Sequence, residues 1–198
     1  MLKDFFEQMR ISLVAVLALA LLVGGVYPLL VWAAGGALFP RQAEGSLVRI
    51  GGTVAGSSLL AQGFAGPAYF HPRPSAAGDG YDAAASGGSN LGPLSRRLIE
   101  LVRGRVASYR AENGLADGVP VPADAVTASA SGLDPHIGVP NALVQAGRVA
   151  RARGMSEQTL RALIAAHTER RDLGFLGEPR VNVLMLNLAL DHGNGGPP

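Results

Sequence analysis

The sequence predicts an α+β fold: a single N-terminal transmembrane helix followed by one compact extracytoplasmic α+β domain. Three observations carry this expectation. Residues 11–40 read ISLVAVLALALLVGGVYPLLVWAAGGALFP and contain no charged side chain. About 150 residues follow, enough for one domain with its own core. Within them, short stretches rich in Val, Ile and Thr alternate with segments that repeat apolar residues at helical spacing.

The apolar run exceeds the ~20 residues that span a bilayer as a helix, and a helix is the single-segment structure that pairs all its own backbone groups in hydrocarbon. A cleaved signal peptide is the competing reading, since Lys3 and Arg10 precede the run and small residues follow it. Signal h-regions cover only ~7–15 residues, so the length favours a retained anchor. Tyr27 and Trp32 can serve as interfacial anchors. Pro28 and the pairs Gly24-Gly25 and Gly35-Gly36 can either kink the helix or admit a close partner helix. The expected organisation is a short tail at 1–10, a transmembrane helix at 11–39, an α+β domain at 40–192 and a disordered tail at 193–198. Charge does not encode orientation, because Lys3 and Arg10 are balanced by Arg41 and Arg49. A short tail inside and a large exported domain is the usual outcome for a leading anchor.

In the domain, residues 47–60 predict short strands with a turn at Gly51-Gly52. Residues 63–92 are dense in Gly, Pro, Ser and Ala and predict a long loop, which in a compact domain is more often functional or packed than idle. Pro93 can occupy the first turn of a helix capped by Ser89 or Asn90, running through Leu98, Leu101, Val102 and Val106 to about Tyr109 and closed by Gly114. Residues 119–122 (VPVP) form an extended connector. A helix follows at 142–153 with Gly154 as its stop, then another capped by Ser156 with Leu160, Leu163 and Ile164 on its apolar face. Residues 181–190 fit strand and helix periods equally.

Chemistry is sparse. Absence of cysteine excludes disulfides and thiolate chemistry. His71, His136, His167 and His192 are scattered singly, so no metal site is expected. His192 is assigned to the disordered tail. Arg148, Arg151 and Arg153 read as a solvated helix face, and with arginines and carboxylates interspersed elsewhere no nucleic-acid partner is expected. Ser131, Asp134 and His136 supply the residue types of a hydrolase triad, but triads draw their members from distant segments, and Asp134 before Pro135 predicts a turn. Ser86, Gly87, Gly88 and Ser89 form a loop ahead of a helix that can present N–H groups to an anion. It lacks the P-loop pattern and any nearby lysine, so autonomous ATP hydrolysis is not expected.

Four blocks are distinctive together: YFHPRPSA at 69–76, SGGSNLG at 86–92, VTASASGLDPHI at 126–137 and LGFLGEPRVN at 173–182. With the leading span, and in this order, they resemble the C subunit of Kdp-type bacterial potassium-transporting ATPases, from the anchor to about Asp191. The resemblance implies a non-catalytic subunit in the bacterial inner membrane, with its N-terminus cytoplasmic and its domain outside. Its implied partners are a channel-like potassium-translocating subunit, a P-type ATPase subunit and a small single-span subunit. It also implies a helix at 181–190 and a chaperone effect that raises the pump subunit's affinity for ATP. This chain has no DKTGT phosphorylation motif. SGG is a partial likeness to an ABC signature, which makes Ser86–Ser89 the nucleotide candidates. Tyr69, Phe70, Arg73, Asn90, Asp134, His136, Glu178 and Arg180 are the candidate partner contacts, with internal scaffolding as the competing role. Two other classes compete with this reading: an anchored exported module for a small ligand, and an anchored hydrolase using Ser131 or Ser129.

Overall fold

The computed structural model describes residues 1–193 and contains two compact units, Met1–Leu47 and the chain from Val48 onward. The boundary therefore falls about seven residues beyond the one expected at residue 40.

In the first unit, α1 (Leu2–Leu21), a π-helical turn (Leu22–Val26) and α2 (Tyr27–Leu38) form one 37-residue helix, Leu2–Leu38, none of whose residues is buried. At ~1.5 Å per residue it is roughly 55 Å long, more than the ~30 Å of hydrocarbon. Residues 2–10, expected as a tail, are its first turns. The π turn has an identifiable cause. Pro28 has no N–H, and its ring conflicts with the carbonyl one helical turn back, that of Gly24. The Tyr27 N–H instead reaches back five residues to the Leu22 carbonyl, widening the turn just ahead of the proline. For Pro28 and Gly24-Gly25 the structure displays the local distortion, while Gly35 and Gly36 lie in regular α2. A four-residue helix, α3 (Pro40–Ala43), follows.

The second unit opens with a hairpin, β1 (Leu47–Ile50) and β2 (Thr53–Ser57), turning through Gly51 and Gly52 as expected. Both glycines have positive φ, a region closed to most side chains. Residues 58–95 contain no helix or strand. The next helix, α4 (Arg96–Asn113), starts later than Ser89, Asn90 or Pro93 would have it. Pro93 lies inside a turn closed by the Ser95 N–H to the Gly92 carbonyl, and the Ser95 hydroxyl then accepts from Leu98 N–H. Gly114 ends the helix in the left-handed conformation.

A 3₁₀ turn (Ala123–Ala125) leads to β3 (His136–Gly138) and α5 (Val139–Arg153), with Pro140 in the first turn. Asp124 Oδ2 accepts from Gly138 N–H and Asn141 Nδ2, placing a carboxylate at the N-terminus of α5. Then come α6 (Glu157–Ala166), capped by Ser156, β4 (Thr168–Glu169), β5 (Arg180–Asn182) and α7 (Val183–Gly193). The sheet is antiparallel in the order β3-β5-β4, with Ile137 opposite Val181 and Thr168 opposite that same residue.

Residues 181–190 resolve the strand-or-helix ambiguity by being both. Val181 and Asn182 end β5, and the remainder forms α7, so the helix that the resemblance implies begins two residues into the segment. His192 belongs to the last turn of α7 rather than to a disordered tail, because the apolar face through Leu186 and Leu190 carries the helix past it. Gly193 closes that helix, and 194–198 lie outside the described residues. The core gathers Ala146 and Val149 of α5, Leu160 and Ile164 of α6, Ile137 and Val181 of the sheet, Leu186 and Leu190 of α7, and one residue from the long loop, Phe70.

Candidate functional site

The long loop has no ladder partner for its backbone, yet part of it is buried, so its N–H and C=O groups need side-chain partners. Two carboxamides supply them on consecutive residues. Asn187 of α7 accepts from Phe70 N–H at 2.8 Å and donates to the Phe70 carbonyl at 3.0 Å. Gln145 of α5 does the same for His71, at 2.7 and 3.1 Å. Both carboxamides are 1% exposed and Phe70 is fully buried. One step earlier, Arg148 donates to the carbonyls of Pro67 and Tyr69, and Arg153 to that of Ala68 and to Asp191. The Arg153 guanidinium also lies 4.8 Å over the Tyr69 ring. Arg148 and Arg153 are therefore structural clamps, contrary to the expected solvated face, because the loop brings unpaired carbonyls onto that side of α5.

A second constellation joins the later blocks. Arg73 Nη1 donates to Asp134 at 3.1 Å and Nη2 to the Ala128 carbonyl, while Nε has no hydrogen-bond partner among the described residues. Asp134 Oδ1 accepts from His136 N–H, the turn expected ahead of Pro135. The His136 ring faces Asp134 at 3.4 Å and Glu169 at 3.5 Å. Glu169 pairs with Arg180 at 3.0 Å, and Arg180 also reaches Asp172. The chain Arg73–Asp134–His136–Glu169–Arg180 thus ties the loop to all three strands of the sheet.

Tyr69 donates its hydroxyl to Asp191, Asn90 is exposed with φ of +50°, and Glu178 pairs with Arg171. Phe70, as a core residue, has no surface to offer a partner in this conformation. Ser86 Oγ and Gly87 N–H both donate to the Ser131 carbonyl, and a Cβ at Gly88 would lie 2.9 Å from the Ala130 carbonyl oxygen. The 86–89 loop is thus packed, backbone on backbone, against the third block. The Ser129 and Ser131 hydroxyls accept from Asp134 and Leu133 N–H, while the His136 ring faces Asp134 and Glu169. No group of three or more His, Asp or Glu suited to a metal occurs among the described residues.

Beside the clamps, α4 and the loop enclose an open cavity of about 680 Å³, lined by Phe64, His71, Tyr81, Arg105 and Glu112 among others. His71 Nε2 lies 3.0 Å from the Gly66 carbonyl and Nδ1 3.5 Å from Glu112. Burial pushes the His71 imidazole below the ordinary histidine range; Gly66 and Glu112 oppose this and the Arg148 charge adds to it. Burial alone would raise the Asp134 carboxyl, but the His136 hydrogen bonds and the Arg73 charge outweigh it and hold Asp134 low.

The family model described as K+-transporting ATPase, c chain, matches residues 9–192. The chain belongs to the KdpC family. It is 52% identical over 180 residues to the potassium-transporting ATPase KdpC subunit of Koribacter versatilis, covering 91% of this chain and 92% of that one. It is 55% identical over 186 residues to the Rhodospirillum rubrum protein of the same name, covering 93% and 95%. For the Mycobacterium tuberculosis KdpC subunit the figures are 53% over 185 residues, covering 93% and 98%.

In this KdpC-family chain the residues that sequence reasoning missed are Gln145, Asn141 and Asn187. Their signal was present: each is a polar side chain inside an apolar stripe, Asn187 within VLMLNLAL and the others among Ala142, Ala146 and Val149. A buried polar residue without a hydrogen-bond partner costs too much to persist.

Replacing Asn187 with leucine keeps the side-chain size but leaves the Phe70 N–H and carbonyl buried and unpaired. At about 1–3 kcal/mol for each orphaned group, the expected loss is roughly 2–6 kcal/mol, read by denaturant unfolding of the full chain in detergent. Both shifted groups make acid destabilising, since below each unfolded pKa the unfolded chain binds more protons than the folded one. His71 contributes full stability above about pH 6.5 and loses it as pH falls toward its lower folded value; Asp134 does so below about pH 4. The thermal midpoint should fall between about pH 7.5 and about pH 5.5, with a shallower slope in His71→Gln; parallel slopes would exclude His71.

Proposed function

We propose that this chain is the non-catalytic subunit of an ATP-driven potassium uptake complex. Its N-terminal helix sits in the bacterial inner membrane with the N-terminus cytoplasmic, and its domain lies outside. Its partners are a channel-like potassium-translocating subunit, a P-type ATPase subunit and a small single-span subunit. The observation that carries this reading is one family match running through both the apolar helix and the folded domain, 9–192. The helix docks on the channel-like subunit, and the exposed parts of the loops, Asn90 and Glu178 among them, cover its outer mouth. The Arg73–Asp134–His136–Glu169–Arg180 chain supports this role by holding several loops in one geometry before any partner arrives.

A raised ATP affinity of the pump subunit fits this arrangement only as a coupling transmitted through membrane helices, because ~30 Å of hydrocarbon separates an exported domain from cytoplasmic nucleotide. Direct phosphate binding at Ser86–Ser89 is disfavoured by the donors that Ser86 and Gly87 already give to Ser131. The direction of the His136 ring nitrogens, one toward Asp134 and the other toward Glu169, weighs against a hydrolase at Ser129 or Ser131.

The test is affinity purification of the tagged full-length chain from its native membrane, with a potassium-stimulated ATPase assay. Co-elution of a channel-like subunit and a P-type ATPase, with activity lost when this chain is omitted, is the expected result. A chain that elutes alone from cells expressing those partners would contradict it. The chain has no cysteine, so one introduced at exposed Leu94 reports sidedness: an impermeant maleimide should label it from outside intact spheroplasts.

A further inference from the structure

The charge-free run ends in a notch. Trp32, Ala33 and Gly36 share one face of the last turns of α2, and α3 brings Pro40, Ala43 and Glu44 to the other side, around an open space of about 430 Å³. The break between the helices is Phe39, whose φ of −135° is forced by the proline that follows it. Its N–H still bonds to the Gly35 carbonyl and its own carbonyl accepts from Ala43 N–H, so α3 is fixed to the end of α2 through the backbone. Small residues keep the space open, and a Cβ at Gly36 would meet nothing within 4 Å.

Trp32 is the one tryptophan of the chain and is 76% exposed. It lies six residues before Leu38, about 9 Å along the helix axis. That depth reaches from the end of the helix to the border of the hydrocarbon, the level at which membrane tryptophans concentrate. Arg41 and Glu44 are the only charged residues between Ile11 and Val48. Both are exposed and stand three residues apart on one short helix, yet neither forms an ion pair among the described residues. At ~100° per residue Arg41 lies about 60° around α3 from Glu44, which puts it at the rim of the notch.

The notch therefore offers a carboxylate and an aromatic face on its wall and a guanidinium beside it. A molecule with a primary ammonium and a phosphate a few bonds apart uses all three, the ammonium donating to Glu44 against the Trp32 ring and the phosphate meeting Arg41. A choline headgroup carries the cation without N–H donors, and a glycerol headgroup brings a net negative charge toward Glu44 with no cation to offset it. The next basic residue, Arg49, belongs to β1 in the second unit.

We propose that this notch is a headgroup site for an aminophospholipid of the phosphatidylethanolamine type, with Glu44 and Trp32 on the ammonium and Arg41 on the phosphate. It rests on the membrane seat of the N-terminal helix proposed above, and it holds for either orientation of the chain and without any other subunit.

The test uses the full-length chain in phosphatidylcholine nanodiscs and reads Trp32 fluorescence, which no other tryptophan overlaps. Phosphatidylethanolamine brominated near the glycerol end of its acyl chains should quench Trp32 with a relative affinity about two- to fivefold above that of the matching brominated phosphatidylcholine, the effect of one exposed cation–π contact. Glu44→Gln should bring the two lipids level, whereas Glu7→Gln, at the far end of the helix, should preserve the difference. A preference that survives Glu44→Gln overturns the site. If the ethanolamine, choline and glycerol lipids quench alike, or the glycerol lipid quenches most, the aminophospholipid site is excluded and the membrane seat stands. If none of them quenches Trp32, the helix lies outside the bilayer and both fall.

Discussion

Everything the second unit does depends on hydrogen bonds from side chains to the backbone of residues 66–71. This stretch has no strand beside it, yet it carries Phe70 into the centre of the core. Asn187 and Gln145 act as substitute strands, each offering a donor and an acceptor to one residue, so the chain is held without a sheet. Arg148 extends the arrangement by capping carbonyls that would otherwise be buried and unpaired. A buried guanidinium is costly to desolvate, and burial accordingly pushes Arg148 below its ordinary value. Arginine does not lose its proton in proteins, so its charge is accommodated by carbonyl oxygens, Asn113 and Gln145.

The consequence reaches the functional blocks. Once Phe70 and His71 are fixed, Arg73 lies within reach of Asp134, and through His136 and Glu169 the sheet is joined to the same network. Ser75 then donates to the Gly132 carbonyl at 2.7 Å, and Gly132 itself leaves no room for a Cβ, which would fall 2.6 Å from the Gly87 carbonyl oxygen. Three of the four distinctive blocks therefore meet backbone to backbone. The fourth block joins the third along the β3–β5 pairing, where Val181 lies opposite Ile137, and its first residues form the hairpin between β4 and β5.

Much of this was legible in the sequence, and the failures have physical reasons. The long apolar N-terminal helix, the glycine hairpin, the end of α5 at Gly154 and the Ser156 cap follow from local rules, and the structure has them. The start of α4 was misplaced because Pro93 suits a turn as well as a helix start, and which it takes depends on Ser95 two residues on. Strands of two or three residues such as β3, β4 and β5 leave too short a pattern to be read, since their pairing is decided by partners more than ten residues away. Arg148 and Arg153 were assigned to solvent with the exposed Arg151 because spacing along one helix says nothing of a loop that packs on it. Asn187 and Gln145 were visible only as interruptions of apolar stripes, and recognising their partners required the fold.

The central claim is that two carboxamides make an irregular segment as well ordered as a helix. Native-state hydrogen exchange on the full-length chain in detergent tests it directly at the Phe70 and His71 amides. If the clamps hold, these amides exchange only with the global opening that releases the core of α5, and as slowly as Val149. Exchange at the rate of the exposed loop around Ala83 would show that the segment opens on its own, and the clamps could not be what the rest of the domain depends on.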